Sequence, residues 1–419
     1  MTDFVLGGGV TGLATGMASG FTVLEAAETP GGICGSYYLT ADGMRLSEPP
    51  ANGEAFRFER GGGHWIFGAD ELVLPLLQSF GPLASYRRKA AVYFPSRNLY
   101  VPYPIQNHGN QLSAHLPKPA AGRAARSAAS GCTLRQWLAS TFGPTLCEEF
   151  FFPFHELYTA GLYHRIAPQD DYKSPTTGGA GYNVDFLYPV SGLDALTKAM
   201  AGRCRVRYQS KVTAIDTKAR RLLLHDGSEL GYTRLVSTLA LNQMLELTKL
   251  QIDATPDPWT SVLVLNLAAR RGRECPDLHW VYLPATEAGF HRVGFYDNVE
   301  PSFLPRSKRA GELTSLYVER AFLAGARPTP QQCEAYAAEV VRELQDWSFI
   351  EQALLIDPTW IEVAYTWSWP NSVWKNRAIE ALAADGITQV GRYARWVFQG
   401  IGASIRDGLL AGVIAKHRD

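Results

Sequence analysis

Residues Phe4 to Gly35 read FVLGGGVTGLATGMASGFTVLEAAETPGGICG, and this stretch decides the fold. An apolar run, a glycine-rich turn, a short helical stretch, a second apolar run and an acid follow one another. That is the order of a dinucleotide-binding βαβ unit. Gly7 permits the tight turn, Gly9 lets the backbone approach a pyrophosphate, and Gly12 allows close packing of helix on strand. The stretch therefore predicts a Rossmann-like domain, with a glycine-rich turn in an ordinary α/β protein as the alternative.

The residues around this turn indicate which dinucleotide would bind. The helix that contains Val10 and Thr11 has free N–H groups and a positive dipole end for the phosphates. Glu25, at the end of the second strand, can accept both ribose hydroxyls of an adenosine. The Gly31-Gly32 pair beyond it is typical of FAD proteins rather than NAD proteins, so FAD is the predicted cofactor. Because the interval between the turn and the acid is short, the helix is expected to be about one turn shorter than usual.

The composition excludes several classes of function. The 419 residues include 40 Lys and Arg and 40 Asp and Glu, so neither nucleic acid nor an acidic membrane surface is an expected partner. No apolar stretch of about twenty residues is present, and the chain opens directly on a strand. We therefore expect neither a membrane span nor a signal peptide. The cysteines have no metal-ligand spacing, which indicates reduced thiols in a cytoplasmic protein without a metal site.

Apolar runs that favour buried strands recur in the middle and at the end of the chain. They lie at 205–208, 211–215, 221–225, 234–238 and 387–390. Asp226-Gly227 predicts a hairpin turn between the strand at 221–225 and Leu230. The last run ends at Gly391, and a helix is expected over 402–414, so this end of the chain offers a second phosphate-type site. The nucleotide domain is therefore predicted to be discontinuous.

The remaining segments predict two further layers. A largely helical stretch is expected over 133–163, where Pro153 must bend or restart the helix. Alternating runs predict an antiparallel sheet, with strands at 261–267, 278–283, 291–296 and 313–319. The Pro/Ala/Arg-rich stretch 116–131 is expected to be an exposed, mobile loop.

These elements together predict a mixed α/β fold. It combines a discontinuous Rossmann-like FAD-binding domain with an α-helical substrate domain and an antiparallel β-sheet layer. The predicted domains are residues 1–68, 187–240 and 361–419 for FAD, 69–186 for the mainly helical substrate domain, and 241–360 for the antiparallel sheet or cap domain.

Several motifs carry a wider resemblance. They are GGGVTGLATG (7–16), LEAAETPGG (24–32), GGHWIFG (62–68), VPYPIQN (101–107), HRVGFYDN (291–298) and VGRYARW (390–396). Together they resemble the FAD-binding superfamily that includes UDP-galactopyranose mutase, protoporphyrinogen oxidase and the amine oxidases. The GGHWIF and YPIQN stretches and the helical FHELYTAGLY segment resemble the mutase branch more specifically.

The resemblance implies a flavin-dependent mutase that interconverts the pyranose and furanose forms of an NDP-linked sugar. In such enzymes N5 of reduced FAD acts as the nucleophile, which implies a nucleotide-sugar substrate and an external reductant such as NADPH. An FAD-dependent oxidase or desaturase of the protoporphyrinogen oxidase or amine oxidase type is the alternative. An FAD-bound scaffold whose site has decayed is a third reading. The sequence does not indicate the sugar, the nucleotide or the oligomeric state.

The resemblance also assigns residues to the site. His64 matches a histidine beside the isoalloxazine and Arg292 an arginine at the substrate pyrophosphate, so these are the predicted catalytic residues. A structural salt bridge is the alternative for Arg292, since a buried arginine needs an anionic partner. The predicted cofactor residues, besides His64, are Gly7, Gly9, Val10, Thr11, Gly12, Glu25, Gly32, Val212, Gly391, Arg392, Gly400 and Ile401. The predicted substrate residues, besides Arg292, are Tyr103, Asn107, Tyr158, Tyr163 and Tyr393.

This chain departs from the mutase pattern after the last strand. The mutases carry a tyrosine and an acid there, whereas this chain has Phe398 and Gly400. Phe398 lacks the hydroxyl that would meet a phosphate, and Gly400 lacks the carboxylate. The arginine of the mutases' substrate loop has no clear counterpart in 176–183, although Lys173 lies near. The expected substrate can therefore differ from UDP-galactose.

Overall fold

The computed structural model describes residues 2–112, 131–169, 184–309 and 311–417. The strands are β1 (Thr2–Leu6), β2 (Thr22–Leu24), β3 (Ser36–Leu39), β4 (Arg45–Leu46), β5 (Phe56–Glu59), β6 (Leu83–Arg87), β7 (Ala90–Phe94), β8 (Leu99–Pro102), β9 (Asp185–Pro189), β10 (Val206–Arg207), β11 (Val212–Asp216), β12 (Arg221–Leu224), β13 (Glu229–Ser237), β14 (Trp259–Arg271), β15 (Trp280–Tyr282), β16 (Arg292–Phe295), β17 (Leu313–Leu323), β18 (Ile350–Thr366) and β19 (Ile387–Gln389).

The α-helices are α1 (Val10–Ser19), α2 (Val73–Gln78), α3 (Leu134–Phe142), α4 (Pro144–Leu146), α5 (Phe152–Tyr158), α6 (Leu193–Ala201), α7 (Leu241–Thr248), α8 (Tyr296–Val299), α9 (Pro330–Asp346), α10 (Trp374–Ala384) and α11 (Ile401–His417). Several short 3₁₀ turns connect these elements.

A parallel sheet carries the glycine-rich turn. Its strand order is β10-β2-β1-β13, and β19 pairs with the other side of β13. These strands come from the beginning, the middle and the end of the chain, which confirms the predicted discontinuous Rossmann-like layer. The first half of β13 pairs antiparallel with β12, and β12 with β11, so the predicted Asp226-Gly227 hairpin is present.

The helices α1 and α11 pack against each other through small residues. A Cβ added at Gly408 of α11 would collide with the carbonyl oxygen of Thr11 on α1, and one at Gly412 would lie 2.6 Å from the carbonyl oxygen of Thr15. The two helix backbones therefore approach so closely that side chains are excluded between them. This contact fixes the last helix of the chain against the first.

The second sheet forms a separate layer, as predicted. Its order is β18-β14-β17-β16-β15-β7-β8, and all neighbours are antiparallel except β7 and β15. Side chains alternate along β14, since successive residues of a strand point to opposite faces. Leu263 and Leu265 pack in one buried cluster with Val340 of α9, while Val262 and Val264 belong to the cluster on the other face.

The helical segment differs in detail from the prediction. A π-helical turn over Cys147–Phe151 separates α4 from α5, and Pro153 lies in the first turn of α5. The helix therefore restarts at the proline, because the proline nitrogen has no hydrogen to donate and is tolerated in a first turn. Of the predicted exposed loop at 116–131, residues 116–130 lie outside the described ranges.

The mixed α/β fold class is confirmed, whereas the division into domains stays a prediction. Two of its boundaries, between 186 and 187 and between 360 and 361, fall inside the continuous strands β9 and β18. The β7–β8 hairpin, placed in the helical segment by sequence, pairs with the second sheet through β15.

The packing of α1 on α11 gives a first testable expectation. Gly408→Ala should lower the free energy of unfolding, because the added methyl group meets backbone on α1. Overpacking of this kind costs about 1–3 kcal/mol, and the roughly 1 kcal/mol by which alanine favours a helix over glycine offsets only part of it. Urea denaturation measures the difference.

Gly231→Ala is the control for that experiment, since a Cβ at Gly231 has no heavy atom within 4 Å. Equal stability of Gly408→Ala and wild type would show that α11 can move away from α1 without loss.

Candidate functional site

A cavity of about 770 Å³ lies between the two sheets. This volume is in the range of pockets that hold cofactors and drug-sized ligands. Its walls come from the glycine-rich turn at 7–11, the second glycine turn at 31–34, the segment 61–67 and the chain end at 392–401. Residues of α7 and of the second sheet complete the lining. The cavity is therefore built by segments that are far apart in sequence.

The first glycine turn is shaped for a phosphate. Gly7 has a φ of 95°, in the region that favours glycine. Gly12 must also be glycine, because its Cβ would overlap the carbonyl oxygen of Gly7. Gly9, the N-cap of α1, offers no side chain to the first N–H groups of the helix. Since Val10 and Thr11 line the cavity, these donors and the positive end of the helix dipole face it.

Glu25 is fixed at one end of this turn. Its Oε2 accepts a hydrogen bond from the Gly8 N–H at 2.6 Å, and its Oε1 accepts one from the Ala27 N–H at 2.8 Å. The carboxylate lines the cavity in this orientation. Because each oxygen has two lone pairs, both can still accept a ribose hydroxyl.

Arg392 also lines the cavity. Its Nη2 donates to the Ala364 carbonyl oxygen at 3.1 Å and its Nη1 to the Gln399 carbonyl oxygen at 3.2 Å. The Phe398 ring lies 4.5 Å from the guanidinium carbon. The N-terminus of α11 follows at Ile401, also in the cavity wall, with Gly400 accepting the first bond from Ser404. A second cationic and donor-rich segment therefore lines the same cavity as the glycine turn.

His64 lines the cavity directly after the glycines of the 61–63 turn. Burial lowers the pKa of its imidazole to about 4, and the nearby Arg392 charge adds to the lowering. The ring is therefore neutral at pH 7 and can serve as a hydrogen-bonding group without a charge.

The glycines before His64 are required by the second sheet. A Cβ at Gly62 would lie 2.9 Å from Oε1 of Glu319, and one at Gly63 would overlap the ring and hydroxyl of Tyr317. The turn thus packs directly on β17. Sequence reasoning gave no reason for this glycine run beyond a turn.

Arg292 also lines the cavity, and it forms an ion pair. Its Nη2 donates to Oε1 of Glu319, the residue directly opposite on β17. Burial alone would raise the pKa of Glu319, yet Arg292, together with His291, lowers it to about 2. Burial alone would lower the pKa of Arg292, but Glu319 raises it well above its usual value. Both groups are therefore ionised across the physiological pH range.

The structure brings most of the predicted site residues to this cavity. Those in its lining are Gly7, Gly9, Val10, Thr11, Glu25, Gly32, His64, Arg292, Arg392, Tyr393, Gly400 and Ile401. The predicted residues outside the lining are Gly12, Tyr103, Asn107, Tyr158, Tyr163, Val212 and Gly391. Gly12 and Gly391 instead allow close packing, since a Cβ at Gly391 would lie 2.7 Å from Thr11.

Three of the predicted substrate tyrosines, which lie outside the cavity lining, have rings packed against other aromatic side chains. Tyr158 is 3% exposed and its ring lies 4.8 Å from that of Tyr365. Tyr103 packs on Tyr282 at 4.8 Å, and Tyr163 lies 6.0 Å from Phe152. Their roles in binding stay predictions.

Two further predicted residues lie elsewhere. Val212, predicted at the cofactor, is buried in an apolar cluster of the first sheet. Asn107, predicted at the substrate, ends a short 3₁₀ turn.

Sequence reasoning missed three parts of the site: Glu319, the face of α7, and an irregular part of β18. Thr260 pairs with Tyr365 and Val262 with Ile361, so extra residues of β18 stand opposite Ser261. This bulge turns consecutive residues at 361–365 toward the cavity, which a regular strand cannot do. An alternating pattern carries no signal for such a bulge.

Other site types receive no support within the described ranges. No three His, Cys, Asp or Glu side chains there come together in a way that could hold a metal ion. No helix in the same ranges has the length and apolar character needed to cross a membrane.

Comparison with known proteins shows the fold. No family model matches the chain. A crystal structure of reduced UDP-galactopyranose mutase is similar with a TM-score of 0.78 and 18% identity, covering 98% of this chain and 94% of that one. Putrescine oxidase bound to putrescine gives a TM-score of 0.61 at 15% identity, covering 100% of this chain and 99% of that one.

A CLA-producing fatty acid isomerase from P. acnes gives a TM-score of 0.60 at 13% identity, covering 97% of each chain. At such identities the likeness shows the fold alone. The predicted resemblance to the mutase branch is confirmed at that level.

The low pKa of His64 gives a second testable expectation. The folded-state pKa of about 4 lies below the ordinary value of about 6.5, so protonation favours the unfolded chain. The His64 contribution to the free energy of unfolding is therefore lost as pH falls from about 6.5 to about 4. Between pH 7 and pH 4.5 wild type should lose more stability than His64→Gln. His225→Gln, at an exposed position, is the control; a wild-type loss no larger than that of His64→Gln would contradict the expectation.

Proposed function

We propose that this chain binds FAD and interconverts the pyranose and furanose forms of a nucleotide-linked sugar. The observation that carries the proposal is Arg292 in the cavity wall. This residue is 8% exposed, and its Nε–H has no hydrogen-bond partner among the described residues. A buried guanidinium donor without a protein partner, on a residue that lines a cavity, is suited to a phosphate oxygen.

The residues present fit FAD as the cofactor. The glycine turn and the N-terminus of α1 supply phosphate donors without side chains, and Glu25 supplies fixed acceptors for a ribose. Arg392 and the N-terminus of α11 face the same space. His64 and the 61–63 turn would hold the isoalloxazine.

FAD held by these residues would, in its reduced form, supply a nucleophilic nitrogen for the anomeric carbon of the sugar. The protein's own task is binding and orientation. Arg292 would hold the departing phosphate, which gains charge as the bond breaks. Neutral His64 would orient groups at the flavin end without adding a cation. Cys34, whose pKa burial raises to about 12, stays a thiol and does not compete as a nucleophile.

The solved structures support this proposal to different degrees. The mutase has the higher TM-score, 0.78 against 0.61 for the putrescine oxidase. In addition, no lysine occurs among the described residues that line the cavity. A lysine near the flavin is frequent in oxidases of this fold, so its absence from these residues favours the mutase.

An FAD-dependent oxidase or desaturase is the second candidate, and the charge of the cavity favours it. The acids in the lining are Glu25, Glu246, Glu319 and Glu362, against the two arginines Arg292 and Arg392. With the phosphates of FAD also present, such a site would prefer a neutral or cationic substrate. The two candidates therefore differ in a property that can be measured.

The cofactor can be tested first. Purified protein should be yellow, with about one FAD per chain. Gly9→Glu should abolish FAD binding, because its carboxylate would stand where the backbone meets a pyrophosphate. Absorbance after denaturation measures the bound flavin.

Gly9→Ala is the matched control, since a Cβ at Gly9 comes no closer than 4.0 Å to the protein. It should fold as wild type does and bind FAD more weakly. A colourless wild type that FAD cannot reconstitute would end the proposal.

Turnover then separates the two candidates. Under anaerobic conditions with reduced flavin, a panel of UDP-, dTDP- and GDP-sugars should yield one furanose product without net oxidation of the sugar. The oxidised protein should be inactive, because only reduced N5 has the electron density to attack carbon. Oxygen consumption with stoichiometric oxidation of the substrate would favour the oxidase instead.

A further inference from the structure

We propose that Glu319 is a positioning residue that holds Arg292 in the cavity wall and competes with the substrate phosphate for its guanidinium. The proposal rests on the proposed function, because it names how the phosphate site works. The proposal goes beyond the proposed function because it assigns a role to Glu319, a carboxylate beside the site of an anionic ligand.

The two residues are placed against each other by the sheet. Arg292 on β16 and Glu319 on β17 are cross-strand partners, and the His291 N–H donates to the Glu319 carbonyl oxygen at 3.0 Å. Directly opposite residues of an antiparallel pair have side chains on the same face, close enough for contact. The pair is therefore set by register and does not depend on a loop.

The carboxylate of Glu319 has little freedom to leave. It is 2% exposed, and Gly62 packs against Oε1 so closely that a Cβ there would lie 2.9 Å away. Oε2 lies 3.6 Å from Nε2 of His291. The part of the pair that can respond to a ligand is thus the arginine.

The hydrogen bonds of the Arg292 guanidinium indicate how Glu319 would compete with a phosphate. Nε and Nη2 lie on one edge of a guanidinium and form the fork that grips a phosphate with two parallel bonds. In this structure Nη2 bonds to Oε1 of Glu319, whereas Nε has no partner among the described residues. Glu319 thus occupies half of the fork. A phosphate that binds both nitrogens must share Nη2 with the carboxylate.

Charge leads to the same conclusion. The ionised pair has no net charge, so Arg292 attracts an anion less than an unpaired arginine would. Removing the charge of Glu319 should therefore strengthen anion binding. It should also loosen the arginine, since the amide that replaces the carboxylate forms a weaker bond. Tighter binding with slower turnover is the signature of a residue that competes and positions.

The experiment measures the Kd of inorganic pyrophosphate on the FAD-loaded protein by titration calorimetry. For Glu319→Gln the Kd should fall about tenfold, the effect of roughly one lost competing charge contact. KM for an accepted nucleotide sugar should fall with it, and kcat should fall as well. Arg292→Lys, which keeps the charge and loses the fork, should instead raise both the Kd and KM.

Two further variants keep the outcome clear. Glu319→Asp draws the carboxylate back by one methylene group, so it should also lower the Kd, though by less. Glu343→Gln is the control, since Glu343 is a buried carboxylate that bonds to the N–H groups of Glu287 and Ala288, away from the cavity. Its Kd for pyrophosphate should equal that of wild type.

An unchanged or raised Kd in both Glu319 variants would overturn the inference, even if wild type binds pyrophosphate and turns over. If the proposed function is wrong, the binding and turnover measurements give a different result. In that case wild type and both Glu319 variants bind no pyrophosphate, and the FAD-loaded wild type isomerises no nucleotide sugar.

Discussion

The site depends on close contacts at which a side chain has no room. A Cβ at Gly12 would overlap the carbonyl oxygen of Gly7, so only glycine lets α1 begin directly above the turn. On its other side α1 meets Gly408, where a Cβ would collide with backbone. Because α11 is held there, its N-terminus and the preceding Arg392 reach the space in front of the glycine turn. Two donor-rich segments of the cavity lining therefore come from opposite ends of the chain and are joined by one helix pair.

Close contacts at glycine also hold the second sheet against the first layer. Gly62 and Gly63 leave room for Glu319 and Tyr317, and Gly294 does so from the neighbouring strand, since its Cβ would overlap the Tyr317 ring. The tyrosine thus fills the space between the 61–63 turn and β16. As a result the sheet that carries Arg292 and Glu319 is held at a fixed distance from the turn that carries His64. Glycine acts here as space for a neighbour and not as a flexible joint.

Local signals were enough to predict the parts of the fold that one segment specifies. The βαβ start, the hairpin at Asp226-Gly227 and the helix expected over 402–414 are present, because turn chemistry and apolar periodicity act over a few residues. The strand β18 was not predicted, since Asp357 and Pro358 interrupt its pattern and its bulge breaks the alternation. The Arg292–Glu319 pair could not be found from spacing, because cross-strand register decides it. The packing of Tyr158 likewise depends on Tyr365 and Trp367, which are distant in sequence.

A buried ion pair in the wall of a cavity needs a reason other than stability. Taking two charges out of water costs several kcal/mol, and well-packed apolar residues would often be as stable. An arginine kept for an anionic ligand, however, faces a second problem, since without the ligand its charge would be buried and unpaired. An internal carboxylate solves this by neutralising the arginine between turnovers. Glu319 can do so only if it leaves part of the guanidinium unbound, and the unpartnered Nε of Arg292 meets that condition. The geometry of the pair is thus what a site requires if it must be folded when empty and still hold a phosphate when filled.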